Sequence, residues 1–204
     1  VGDQGEGLRH RGPSRRSGLP PQRTPGDASR FDPGYPDAVT GSAPLVIGRR
    51  LRLVAPGTPA ADDGRLEVVV PRGAFGSGEH ETTAACLEAL EGLPRLAGAR
   101  VLDLGSGTGV LGIAAVRLGA GSALLVDPDP RAVATALEAI RRNRVGDRVS
   151  HLEGTLAAVT GGPFDIVLAN VYADVLVAEA ERLVAVAAAG APLVLSGLAF
   201  EQAF

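Results

Sequence analysis

The sequence predicts a doubly wound α/β domain, a parallel sheet with helices on both faces. Three observations predict it. From residue 101 onward, short runs of Val, Leu and Ile alternate with longer helical runs, which reads as βαβ units and a fully covered parallel sheet. The first of these strands runs into a loop with glycines at 105, 107 and 109, and a helix follows. Hydrophobic residues make up 45% of the 204 residues, enough for a core; aromatics are only 3%, so that core must be aliphatic.

Residues 1–42 stand apart. They are rich in Gly, Pro, Ser and Arg, and their apolar residues are isolated. Such a segment buries too little surface to offset its ordering entropy and is expected to be a disordered tail. Its Arg9, Arg11, Arg15 and Arg16 offer at most a weak contact to an acidic partner such as RNA. Residues 43–81 read as a β extension and a covering loop. Leu45–Val54 is expected as one strand and Leu66–Val70 as another, with turn signals at Pro56, Gly57 and Asp62–Gly64 between them. The glycine-rich run 73–79 leads into a helix at about 82–90.

Residues 82–204 form the main domain. Strands are expected at 101–104, 123–126, 149–152, 164–169 and 192–195, with helices at 110–118, 131–142 and 173–187.

Composition removes several function classes. One cysteine, Cys86, excludes an internal disulfide. No apolar stretch near the start reads as a signal peptide. The longest apolar run, 175–189, is broken by Glu179, Glu181 and Arg182, which argues against a membrane span. A cytoplasmic protein is expected. A net charge of -3 gives no general reason to expect nucleic-acid binding. All 20 basic residues are Arg, and the chain begins with Val1 and has no Met, which points to a fragment or an unusual start codon.

The chemistry concentrates in five segments. In Val101–Gly112 (VLDLGSGTGVLG), glycines allow a tight turn and close backbone approach to a ligand at the carboxyl end of a strand. The run from Gly107 to Gly112 also fits the dinucleotide fingerprint, with Asp127 placed 20 residues later. Asp103 tips the balance: an acid two residues before Gly105 suits the cationic methionine end of S-adenosylmethionine and repels a pyrophosphate. Asp127, ending the second main-domain strand, is a candidate acceptor for both ribose hydroxyls; Asp129 is the better N-cap for the next helix. Glu153-Gly154 follows the third strand, near where an adenine would lie. Asn170 ends the buried run 164–169, and its side-chain carbonyl can accept a hydrogen bond from a substrate amine. The run 73–83 mimics a P-loop, but Glu79 replaces the required Lys. It also mimics a zinc-protease helix, but Ala84 stands where the second His belongs, and one Cys with three scattered His makes a metal site improbable.

Together the run from Ala74 to Thr83 (AFGSGEHETT), the glycine loop 101–109, the strand 164–171 and the run 193–197 (LVLSG) resemble the ribosomal protein L11 methyltransferase family, over roughly 47–204. The resemblance implies a seven-stranded, Rossmann-like methyltransferase sheet that uses S-adenosylmethionine. It implies that Phe75, Gly76, His80, Thr82 and Thr83 help close the cofactor site, that Gly105, Gly107 and Asp127 hold the methionine end and ribose, and that Asn170 faces the transfer site. The implied substrate is a lysine side chain or α-amino group of a ribosomal protein. Residues 1–42 do not resemble the family's small recognition domain, and the fifth strand ends close to Phe204, so the sheet is expected to lack its last two strands. A small-molecule methyltransferase on the same fold, a nicotinamide-dependent oxidoreductase and a catalytically dead binding module are the competing readings.

Overall fold

The structure is a computed structural model, described here for residues 43–71 and 80–197. The tail 1–42, most of the loop that carries Phe75 and Gly76, and residues 198–204 lie outside the described residues.

The β extension differs from expectation at its start. Leu45–Val54 is not one strand but two, β1 (Leu45–Ile47) and β2 (Leu51–Val54), paired antiparallel. Gly48, at φ +54, takes the left-handed conformation that lets the chain reverse there. The backbone N–H of Arg49 donates to both carboxylate oxygens of Glu91, at 3.2 and 2.9 Å, and fixes the hairpin to the end of the first helix. β3 (Leu66–Val69) then pairs parallel to β2. The buried Arg52 lies in an ion-paired cluster with Glu67 and Asp63 on this small sheet.

α1 (Glu81–Glu91) leads into the main sheet. Its strands are β4 (Arg100–Leu104), β5 (Ser122–Asp127), β6 (Val149–Glu153), β7 (Ile166–Asn170) and β8 (Leu193–Ser196). Their spatial order is β6-β5-β4-β7-β8 and every pairing is parallel. The chain therefore builds outward from β4 in one direction, then crosses back to build in the other. Open α/β sheets bind ligands beyond the strand ends at such a reversal, here between β4 and β7.

α2 (Val110–Leu118) is buried along nearly its whole length because β3 packs on it as well as β4 and β5. That explains its unbroken apolar composition, where a surface helix would show a polar stripe. α3 (Pro130–Asn143) buries only an Ala-rich stripe with Ile140. Its last residue, Asn143, reaches across to β3: its side-chain carbonyl accepts from the Val69 N–H at 2.8 Å, and its Nδ2 donates to the Val69 and Ala139 carbonyls at 2.7 and 2.8 Å. α4 (Ala173–Val186) covers the opposite face through Leu176 and Leu183. Between β6 and β7 the chain makes only a 3-10 turn, Leu156–Ala158, where a covering helix would otherwise fit.

Two aliphatic clusters result, one on each side of the main sheet. A fully buried Leu or Ile such as Leu102, Leu125 or Ile166 contributes about 1.5–3 kcal/mol through removal from water.

Candidate functional site

Strand register collects the polar residues at one edge. Asp127 stands opposite Glu153 and Asn170 opposite Ser196, all at the carboxyl ends of their strands. The loop after β4 lies among them, with Gly105, Gly107 and Gly109 at φ +66, +53 and +78. A side chain at Gly105 would be strained and would strike Val171, the residue after Asn170. The glycine loop and the end of β7 are therefore in direct van der Waals contact.

Asp127 holds this loop. One carboxylate oxygen accepts from the Gly107 N–H at 2.9 Å, and the other from the Asp129 N–H at 2.9 Å. Each oxygen retains a lone pair, so the group has capacity for two further donors. Asp129 is the N-cap of α3, accepting from the Arg131 N–H at 2.9 Å, as its position before Pro130 predicts. Asp127 is thus left for another role. Glu153 is exposed at the edge of the same surface.

Asp103 lies deeper. Its Oδ2 accepts from the Gly112 N–H at 2.9 Å in the first turn of α2, while its Oδ1 is buried without a hydrogen-bond partner. Burial pushes its carboxyl up to about 7, against the lowering effect of the Gly112 bond, with the Asp127 charge adding to the rise. A buried acceptor without a donor is costly, and a cationic donor brought to Oδ1 would relieve that cost. An acid already bonded at the start of α2 also opposes a pyrophosphate there, because its Oδ2 takes the Gly112 N–H that a phosphate would use.

A second group joins α1 to β7. Asn170 Nδ2 donates to Thr83 Oγ1 at 3.2 Å. With its nitrogen so engaged, the Asn170 carbonyl oxygen is the free end of the amide. Asn170 is not a helix cap, since Tyr172 holds the N-cap position of α4, without a side-chain capping bond. His80 is the N-cap of α1: its Nδ1 accepts from the Thr82 N–H at 3.3 Å and lies 2.7 Å from Thr82 Oγ1. The structure therefore gathers Asp103, Gly105, Gly107, Asp127 and Glu153 in one group and His80, Thr82, Thr83 and Asn170 in another, with Val171 against Gly105 joining them. Phe75 and Gly76 fall outside the described residues.

Sequence reasoning passed over Ser106 and His151. Ser106 is buried between two of the loop glycines, and its Oγ lies 3.4 Å from His151 Nε2. The available signal was register: His151 precedes Glu153 by two residues and so shares its face of the sheet. A cavity of about 570 Å³ between β5, β6 and the 158–164 segment has His151 in its lining but includes neither the glycine loop nor Asn170. Among the described residues, no cluster of His, Cys, Asp and Glu is arranged to hold a metal, and no helix is long and apolar enough to cross a membrane.

Comparison with known proteins gives a consistent picture. The sequence model of a family described as ribosomal protein L11 methyltransferase (PrmA) matches residues 39–203. The chain is 45% identical over 166 residues to the ribosomal protein L11 methyltransferase of Pelobacter propionicus, covering 78% of this chain and 53% of that protein. It is 44% identical over 167 residues to that of Trichlorobacter lovleyi, covering 78% and 54%. The chain thus spans about half the length of the curated relatives it matches. Among solved structures, the ribosomal protein L11 methylase of Lactobacillus delbrueckii subsp. bulgaricus superimposes with a TM-score of 0.69 at 26% identity, over 79% of this chain and 83% of that one.

Proposed function

The chain belongs to the ribosomal protein L11 methyltransferase family, and on that premise we propose that it is an S-adenosylmethionine-dependent N-methyltransferase acting on lysine or α-amino groups of ribosomal protein L11 in the cytoplasm. The observation that carries the cofactor reading is the buried, unpartnered Oδ1 of Asp103 beneath the glycine loop. A cationic ligand end placed near it would restore the carboxylate that burial disfavours. The residues present fit the cofactor: Asp103 for the positively charged methionine end, the backbone of Gly105 and Gly107 for close approach, Asp127 for the ribose hydroxyls and Glu153 near the adenine. His80, Thr82 and Thr83 would close the site from the α1 side, and Phe75 and Gly76, outside the described residues, would share that role by the family resemblance.

When bound, S-adenosylmethionine supplies an electrophilic methyl group on a sulfonium. The chain must present a neutral amine to it in line, at about 3–3.5 Å. Asn170 would do this: its nitrogen donates to Thr83 Oγ1, and its Oδ1 would accept an N–H of the amine and aim the lone pair. A lysine, with an ordinary pKa of about 10.4, needs a desolvated approach to be neutral. Val171, next to Asn170 and packed against Gly105, would supply apolar surface there. His80 serves α1 as its cap and is assigned an ordering role rather than that of a base.

Calorimetry with S-adenosylmethionine and NAD tests the reading. Micromolar binding of the first and none of the second is expected; tight NAD binding would overturn it. Methyl transfer to purified ribosomal protein L11, against a free amine of small size, separates a protein substrate from a small-molecule one.

A further inference from the structure

His151 has no part in the function proposed above, yet it stands at the centre of the polar face. Register places it opposite Leu125, which stands opposite Asp103, so His151, Leu125 and Asp103 form a row on one side of the sheet, with Asp127 and Glu153 two residues closer to the edge. Its Nε2 meets the Ser106 hydroxyl at 3.4 Å, and its Nδ1 is buried without a partner. Ser106 is no passive member of the loop: its N–H donates to the Val126 carbonyl at 3.1 Å, and its carbonyl accepts from the Gly109 N–H at 2.7 Å. Whatever fixes Ser106 fixes the bend on which Gly105, Gly107 and Gly109 depend.

Resting on the cofactor reading, we propose that His151 is a positioning residue: its neutral imidazole, seated against Ser106, holds the glycine loop in its binding shape, and its protonation weakens S-adenosylmethionine binding on acidification. The charged surroundings give the sign. Burial holds the imidazole below the usual histidine range, while the Asp127 and Glu153 carboxylates act in the opposite direction. Asp103 lies two strands away on the same face. α3 turns only Ala132, Ala136, Ala139, Ile140 and Asn143 inward, and the inward residues of α2 are uncharged. When the ring takes up a proton, a cation appears beside Asp127 and Glu153. It competes for the carboxylates that face the ribose and adenine, and it repels a cofactor of net positive charge.

The test measures S-adenosylmethionine affinity from pH 5.5 to 8 for the unaltered chain, His151→Gln and His151→Leu. It also measures amide hydrogen exchange at 105–109 without cofactor. Gln keeps a neutral group able to bond Ser106 but does not titrate. The unaltered chain should lose affinity at low pH roughly fivefold more than His151→Gln does, the scale of one screened charge contact. Asp103 titrates in both proteins, so the difference between the two curves belongs to His151. His151→Leu should speed exchange at Gly107 and Gly109, and Gln should restore protection. Superimposable pH curves for the unaltered chain and His151→Gln, or unchanged exchange in His151→Leu, would overturn the proposal. Faster exchange in His151→Leu from a chain that binds no S-adenosylmethionine at any pH would leave the loop contact standing and sink the cofactor reading along with the pH effect built on it.

Discussion

The two faces of the main sheet are cut from the same five strands, and they have been put to different uses. On the α4 side, β4, β5 and β7 present Leu102, Leu104, Leu124, Val126, Val167 and Ala169, and the polar residues they put on that face, Arg100 and Ser122, stand at their amino ends, away from the carboxyl edge. On the α1–α3 side, the same strands begin with Val101, Ala123, Leu125, Ile166 and Leu168 but end in Asp103, Asp127 and Asn170, and β6 adds His151 and Glu153. Alternation along a strand makes this division possible, since neighbouring side chains point to opposite faces. Fold stability and chemistry are therefore nearly separable in this sheet: one face contributes only packing, while the other gives up packing at its carboxyl edge to place polar groups.

The largest effect that tests this separation is on the aliphatic face. Leu102→Ala should cost about 2–5 kcal/mol of stability by leaving a cavity, read by denaturant unfolding, while the folded fraction keeps its cofactor affinity. A large loss of affinity there would break the division. On the polar face, Asp127→Ala should weaken S-adenosylmethionine binding by about 1–3 kcal/mol, the scale of lost bonds to a charged group, and should loosen the loop by freeing the Gly107 N–H. Unchanged affinity would remove Asp127 from the site.

Asp103 gives a pH signature. Its carboxyl is raised from 3.8 to about 7, so the folded chain holds a proton that the unfolded chain releases between those values. The stability that this proton confers is present below about pH 4 and lost as pH rises to about 7, with a slope of roughly 1.4 kcal/mol per unit in mid-range. Asp103→Asn should remove that slope; equal slopes in the two proteins would show that the carboxyl is not raised. The smallest expected effect is that of Thr83→Val, about 0.5–1.5 kcal/mol for one hydrogen bond. It should appear in kcat for methyl transfer rather than in cofactor affinity, because Thr83 holds the Asn170 amide.

The main domain was legible in sequence because its signals are local: apolar runs of strand length, glycine at the loop, and Asp129 before a proline. The split of Leu45–Val54 into β1 and β2 was not, since a strand run containing one glycine reads as continuous until Glu91, 43 residues from Gly48, is seen to hold the turn. Asp103, Asp127 and Asn170 are candidates the sequence offers through their places beside glycines and at strand ends. Their bonding was not: that Asp127 ties down Gly107 and that Asp103 bonds Gly112 depends on three-dimensional register. His151 escaped notice because three of the five residues of β6 (VSHLE) are polar and each reads as a surface position; only the pairing with β5 sets His151 beside Leu125.

Asn143 ties the small sheet to the large domain through one carboxamide, which meets both the donor and the acceptor of Val69 as a neighbouring strand would. The extension is on that account not an appendage that melts early. Val69, the last residue of β3, is latched to the last turn of α3, and α3 leads into β6, so thermal or chemical unfolding should release the two sheets in a single cooperative event.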